Sequence, residues 1–235
     1  MNLGVVQAVC GRFNLIATPE QVKEAFNLPS LFDFQPSYNI TPAQDILAIV
    51  PSDENIDINL NNQSVQLFWG LIPSWSKDRK ISQHLINARA ETIADKSSFR
   101  SAFLKRRCLI PATGFYEWRL TEQGKQPYLI THPNRQVFAF AGLWEHWEHG
   151  DGTVYSCTII TTSANQLMQP IHSRMPVILD PQNYTNWLDG QSKRDDLQAL
   201  LVCDAYSEME TIPVSNWVNN PRHNDAICIR PIALI

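Results

Sequence analysis

Apolar residues recur along this chain in short, closely spaced runs, few of them long enough for an extended helix. The first run is helical. Val22, Ala25 and Phe26 share one face, Thr18 can cap, Pro19 suits the first turn, and Gln21 stands three residues after the cap. Residues 45–50 then read as a strand ended by Pro51, and residues 56–59 and 64–69 as two more, with Asn61-Asn62 placed for a hairpin turn. Residues 97–106 put Phe99, Phe103 and Leu104 on one side of a helix. Residues 107–111, 114–119, 127–132, 137–143 and 154–162 read as strands, many separated by Gly or Pro. Asp180-Pro181 opens a helix that Gly190 ends, and residues 194–202 read as another. Strands so close in sequence favour antiparallel pairing. The pattern predicts a single α+β domain built on antiparallel sheet, with short helices outside it.

Composition narrows this further. The 235 residues suit one large domain or two small ones. With 44% apolar and 18% charged residues, the chain is not intrinsically disordered, and it is long enough to bury a sizeable core. No apolar run approaches the ~18 residues of a membrane span. Residues 1–9 carry no charge, so the basic region of a signal peptide is missing. The five cysteines include no C-x-x-C pair, which argues against a zinc ribbon and against a disulfide framework. A reduced, cytoplasmic protein is expected. A net charge of −4 gives no global case for nucleic acid, so any such partner needs a local basic groove. Fifteen Pro against nine Gly point to turns and extended segments.

Several short segments gather chemically versatile residues. Cys10 lies before Gly11, which gives backbone access, and Arg12, which favours a thiolate; the plain alternative is a small buried hydrophobe. His172 sits among Ile, Ser and Arg, as a hydrogen-bonded structural residue or a proton-transfer group. Glu117 lies inside the aromatic run Phe115-Tyr116-Glu117-Trp118. There its carboxylate must either pair, with Arg12, Arg89 or Arg119, or carry the raised pKa that a general acid needs. Asn87, Arg89 and Glu91 alternate, so in an extended chain they face one way. Trp69 and Trp75 are core residues if buried and base-stacking platforms if exposed.

Taken in order, these segments resemble the SRAP family, the SOS response-associated peptidases now described as abasic-site processing proteins. The resemblance runs from Cys10 to about Pro231. It is carried by Cys10-Gly11-Arg12-Phe13, the Asn39 to Pro42 turn, Trp69-Gly70 with Pro73, and Asn87-Ala88-Arg89-Ala90-Glu91-Thr92. It continues through Gly114-Phe115-Tyr116-Glu117-Trp118, Thr161-Thr162-Ser163-Ala164, Ile171-His172-Ser173-Arg174-Met175-Pro176, and ends near Val218-Asn219-Asn220. It implies a barrel-like antiparallel sheet, single-stranded DNA as partner, and covalent capture of abasic sites by an N-terminal cysteine. On the matching positions Cys10, Asn87, Glu117 and His172 form the catalytic set. Arg12, Arg89 and Arg174 would hold phosphates, and Asn39, Pro42 and Trp75 the rim where the strand bends. No metal or cofactor is implied, and a cytoplasmic monomer that joins the nucleoid on DNA is expected.

Two departures bear on the chemistry. Ser76 stands where the family often has a second aromatic after the Trp75 position. Residues 1–9 precede Cys10, and an internal cysteine has no free α-amine for thiazolidine formation. The expectation is therefore a domain spanning 10–235 whose mature chain begins at Cys10. Initiation at Val9 or removal of the leading peptide would each produce it. Read one at a time, the same residues also suit a Cys10/His172 peptidase or amidohydrolase. A single-strand binding module with an incidental cysteine is the third reading.

Overall fold

The computed structural model describes residues 10–31, 34–51, 64–134, 136–150, 152–202 and 208–233. The expected strand at 56–59, the Asn61-Asn62 turn and the 1–9 segment lie outside them. The elements run β1 (Phe13–Leu15), α1 (Pro19–Ala25), β2 (Ser37–Ile40), β3 (Asp45–Ile49) and β4 (Ser64–Trp69). A 3-10 turn at Arg79–His84 leads to β5 (Asn87–Arg89), α2 (Arg100–Lys105), β6 (Arg107–Ala112), β7 (Gly114–Thr121) and β8 (Gly124–Thr131). Then come β9 (Phe138–His149), β10 (Gly152–Ser163), β11 (Arg174–Pro176) and β12 (Ile178–Leu179). The chain closes with α3 (Tyr184–Leu188), α4 (Arg194–Ala199), β13 (Glu210–Pro213) and 3-10 turns at Asn216–Asn219 and Ala226–Ile229.

Local chemistry explains the first helix. Thr18 Oγ1 accepts from Gln21 N, and the Gln21 side chain accepts from Thr18 N, which makes a reciprocal capping box. The sheets need longer-range reasons. β13, β8, β7, β1 and β2 form one five-stranded antiparallel sheet. In the other, β4, β3, β6, β9 and β10 pair in turn and β10 returns to β4, which closes a ring.

That closure is where the structure departs from the antiparallel expectation. β10 runs parallel to β4 at Ser156↔Phe68 and Cys157↔Trp69, and parallel to β5 from Ile159↔Asn87 to Thr161↔Arg89. The chain leaves the ladder after Trp69, makes an excursion, and rejoins the same neighbour at Asn87. Gly70 N donates to Cys157 O (2.9 Å), and Ile159 N to Ile86 O (3.1 Å), so both ends of the excursion stay on the ladder. Leu71 N donates to Leu85 O at 3.1 Å and pinches the loop shut. Gly70 has φ +138°, and a Cβ there would stand 2.9 Å from the Ser82 carbonyl oxygen, so only glycine fits.

Alternation along β9 divides the core. Phe138, Phe140 and Trp144 pack on one side with Phe13, Trp69, Phe115 and Cys157, while Ala139, Ala141 and Leu143 face Phe103, Trp187 and Leu197. A strand buried on both faces reads as an unbroken apolar run, which residues 137–143 do. Phe13 joins the five-stranded sheet to the ring through edge-on contacts with Trp69 (5.2 Å) and Phe140 (5.7 Å).

Arg107 secures the helical side. It is 2% exposed and donates to three main-chain carbonyls: Trp187 (2.6 Å), Phe103 (2.9 Å) and Asp189 (2.6 Å). It thus satisfies the end of α3 and ties it to α2 and β6. Arg107→Met should lower stability by about 3 kcal/mol, because three buried acceptors lose their donor. Arg107→Lys should restore little of it, since one ammonium cannot span the three oxygens. The urea midpoints of the three chains check this.

Candidate active site and nucleic-acid interface

Pairing of β1 with β7 sets the first half of the site. Phe13 faces Phe115, and Tyr116 N donates to Arg12 O at 2.9 Å, which carries the pairing outward toward the end of β1. Cys10 thereby arrives against Glu117, and its main-chain N–H donates to Glu117 Oε1 at 2.6 Å. Both residues are buried, and Cys10 takes a left-handed φ of +46°, uncommon for a residue with a side chain.

Burial pushes the Glu117 carboxyl up to about 7, against the opposing pull of the Cys10 and Trp118 N–H groups. Burial, with the Glu117 charge adding to it, holds the Cys10 thiol well above its usual range. None of the ion pairs among the described residues includes Glu117, so the pairing with Arg12, Arg89 or Arg119 that the sequence allowed is not made. The result is a neutral thiol and a carboxyl poised to take or give a proton, side by side on one main-chain nitrogen.

The rim above them is braced from the C-terminal turns. Arg12 Nη1 donates to Asn39 Oδ1 (3.0 Å) and to the Val218 carbonyl, and its guanidinium lies over the Trp118 ring at 5.7 Å. Both of these hydrogen bonds use Nη1. Asn39 is buried, and its amide donates to the carbonyls of Val218 (3.3 Å), Asn220 (3.1 Å) and His223 (2.7 Å). Its geometry is that of a brace, with the half-buried Pro42 further along the same turn. That turn is pinned by Ala43 N to Trp69 O (2.9 Å) and Trp69 N to Gln44 O (2.8 Å).

The second half lies along β10. β5 turns Ala88 into the core and leaves Arg89 exposed and Asn87 half-buried, as alternation requires. Glu91 lies past the strand in a turn, yet it grips Arg174 with both oxygens, at 2.9 Å each. Arg174 also donates to Thr161 O (2.7 Å), so most of its fork is already engaged. Burial opposes ionisation of Glu91, but the bond from Arg174 wins and its pKa falls.

His172 Nδ1 lies 3.1 Å from the Arg174 main-chain nitrogen and 3.2 Å from the Arg174 carbonyl oxygen, so its ring is oriented by the backbone of that one residue. Trp75 is 57% exposed on the loop between Leu71 and Leu85, whereas Trp69 is fully buried. Trp69 links the halves: its ring packs on Phe13, and its indole N–H donates to Ile86 O (2.9 Å), the residue before Asn87. Cys10 and Met168, which anchors the turn before His172, belong to the same cluster.

The sequence did not single out the Glu91–Arg174 fork or the Val218 carbonyl. Nothing in the spacing places a turn residue opposite β11, or a C-terminal carbonyl beside Arg12.

A family model described as SOS response associated peptidase (SRAP) matches residues 9–221. The chain belongs to the SRAP family. Its SRAP relatives include the abasic site processing protein YoqW of Bacillus subtilis (strain 168), 44% identical over 222 residues, which are 92% of this chain and 96% of that one. The abasic site processing protein HMCES of Xenopus tropicalis is 31% identical over 96% of this chain and 79% of its own. A crystal structure of a protein from Bacteroides thetaiotaomicron aligns with a TM-score of 0.82 at 26% identity, covering 95% of this chain and 100% of that one. The Cys10–Glu117 pair with Arg12 and Asn39 forms one group, the Asn87, Arg89, His172 and Arg174 set a second, and the shared cluster around Trp69 connects them.

Glu117 makes stability depend on pH. Its folded pKa lies above the ordinary value, so the fold disfavours the ionised form. Between about 4.5 and 7 the unfolded chain releases a proton that the folded one keeps, and stability falls as pH rises. The loss should total about 3 kcal/mol and level off above pH ~7. Denaturant titrations at successive pH values should show this slope in the wild type and not in Glu117→Gln.

Proposed function

We propose that this SRAP protein senses abasic sites in single-stranded DNA and captures them covalently through Cys10. The observation that carries the reading is the 2.6 Å bond that sets the Cys10 main-chain nitrogen, a peptide N–H here and an amine once residues 1–9 are gone, against the buried Glu117 carboxyl. The names of its relatives as abasic site processing proteins support the same substrate.

The chemistry follows from the substrate. A ring-opened abasic sugar is an aldehyde. A cysteine with a free α-amine adds through nitrogen, loses water to give an imine, and closes through sulfur to a thiazolidine. Glu117 takes the proton from the attacking amine and returns one to the departing hydroxyl. His172 assists sugar ring opening by proton transfer, and Asn87 holds the amine or the sugar oxygen. Arg12 and Arg89 hold phosphates, Arg174 does so in competition with Glu91, and Asn39, Pro42 and Trp75 shape the rim where the strand bends. An unpaired strand spares the protein the cost of unstacking a duplex. The mechanism requires residues 1–9 to be absent from the acting chain. The crosslink then acts in the DNA-damage response.

A Cys/His hydrolase fits less well. It needs a thiolate supported by imidazole, and among the described residues no hydrogen bond joins Cys10 to His172, while burial keeps the thiol neutral.

A chain beginning at Cys10 should form a denaturation-resistant band with an abasic oligonucleotide and none with an intact one. Cys10→Ala in that chain should abolish the band. The chain beginning at Met1 should form it only as far as its leading residues are removed. A stable adduct on the intact Met1 chain would sink the thiazolidine route.

Salt should weaken the non-covalent encounter. Three phosphate contacts give a log–log slope of roughly −2 for single strands. Arg89→Ala should flatten it by about 0.7. Arg174→Ala should change it less, because Glu91 already neutralises that fork. Fluorescence-anisotropy titrations over a salt series read the slopes.

A further inference from the structure

A second aromatic surface stands beyond the catalytic pair. Trp217, on the 3-10 turn Asn216–Asn219, is 39% exposed, although burial is the ordinary fate of so large an apolar ring. It is held rigidly. Its indole N–H donates to Asp225 Oδ2 (3.2 Å), and the His223 ring stacks on it at 3.5 Å and 15°. His223 is locked in turn. Its Nδ1 donates to Trp217 O (2.8 Å), and its Nε2 accepts from the Asn220 amide at 3.0 Å. Nothing inside the protein requires an exposed ring to be fixed this firmly, whereas a stacking platform gains from it, since little rotamer freedom is left to lose on binding.

The platform is joined to the catalytic rim. Val218, the next residue, gives its carbonyl to Arg12, and Asn219 accepts from the Trp118 indole at 2.7 Å. A strand held by Arg12 therefore passes the turn that carries Trp217. Asp225 beside the indole disfavours a phosphate at that edge, and the exposed Arg222, in the segment between the two C-terminal 3-10 turns, adds a positive charge to this stretch of chain.

We propose that the Trp217–His223 stack is a base-binding platform, taking one unpaired base of the DNA strand on the Arg12 side of the captured sugar. The proposal rests on the reading of Cys10 as the capture site.

The test places 2-aminopurine at successive positions on each side of an abasic site, in oligonucleotides mixed with the chain beginning at Cys10. Stacking on an aromatic ring quenches this base. One position should be quenched by the wild type and by Trp75→Ala but not by Trp217→Ala. Affinity for intact single strands should fall about 5- to 100-fold in Trp217→Ala and stay within about threefold in Trp217→Phe, which keeps an aromatic face. If the alanine chain fails to fold, the Phe chain and the wild-type quenching profile decide.

Quenching at no position, or quenching unchanged without Trp217, overturns the platform and leaves this face as a protein contact or a structural turn. If the wild type fails to crosslink the abasic strand at all, the capture reading itself falls. Crosslinking by the wild type without the quenching pattern removes only the platform.

Discussion

A carboxyl group buried against the main-chain nitrogen of Cys10 sets the terms for everything around it. Charged, it is expensive where it stands, and protonated it is nearly free of cost. The fold tolerates this because Glu117 lies on a strand whose pairing is fixed on both sides, by β1 and by β8, so the side chain has no route to water. The same β1 pairing that buries Glu117 also delivers Cys10 to it. Burial of the acid and arrival of Cys10 are therefore one structural event.

The two halves of the site belong to different sheets, and their alignment depends on how those sheets interlock. Phe13 and Trp69 do this work as an edge-on aromatic pair at the centre of the larger cluster. The outer parts are braced by polar contacts in place of apolar burial. Asn39 collects three carbonyls from the C-terminal turns. Arg174 gathers Glu91, Thr161 and, through its backbone, His172. Polar braces of this kind fix direction as well as position.

Much of this was legible in the sequence. The capping box at Thr18, the strands from Arg107 to Ser163 and the Pro-in, Gly-out signals around Asp180 and Gly190 are local, and the fold obeys them. Short elements such as β1, β11 and β12 carry too few residues for a periodic signal. They exist because neighbours pair with them. The parallel pairing of β10 with β4 and β5 was equally invisible, since antiparallel strands joined by tight turns are the default for closely spaced runs. At the site, Glu117 announced itself as a carboxyl in an aromatic strand. Glu91 was legible only as the third of the alternating set with Asn87 and Arg89; the strand ends at Arg89, and Glu91 finds its partner Arg174 from a turn, across to another strand.

The pinched excursion between Leu71 and Leu85 has an evolutionary reading. Its two ends are hydrogen-bonded to each other and to the β10 ladder, so the register that places Asn87 and Arg89 is held at the base of the loop, away from its exposed tip. A loop attached in this way is a cassette. Lengthening it costs only slowly growing closure entropy, and its exposed tip, where Trp75 sits, can change composition without disturbing the chemistry behind it. The tip of this segment can thus vary while the ladder behind it keeps Asn87 and Arg89 in place.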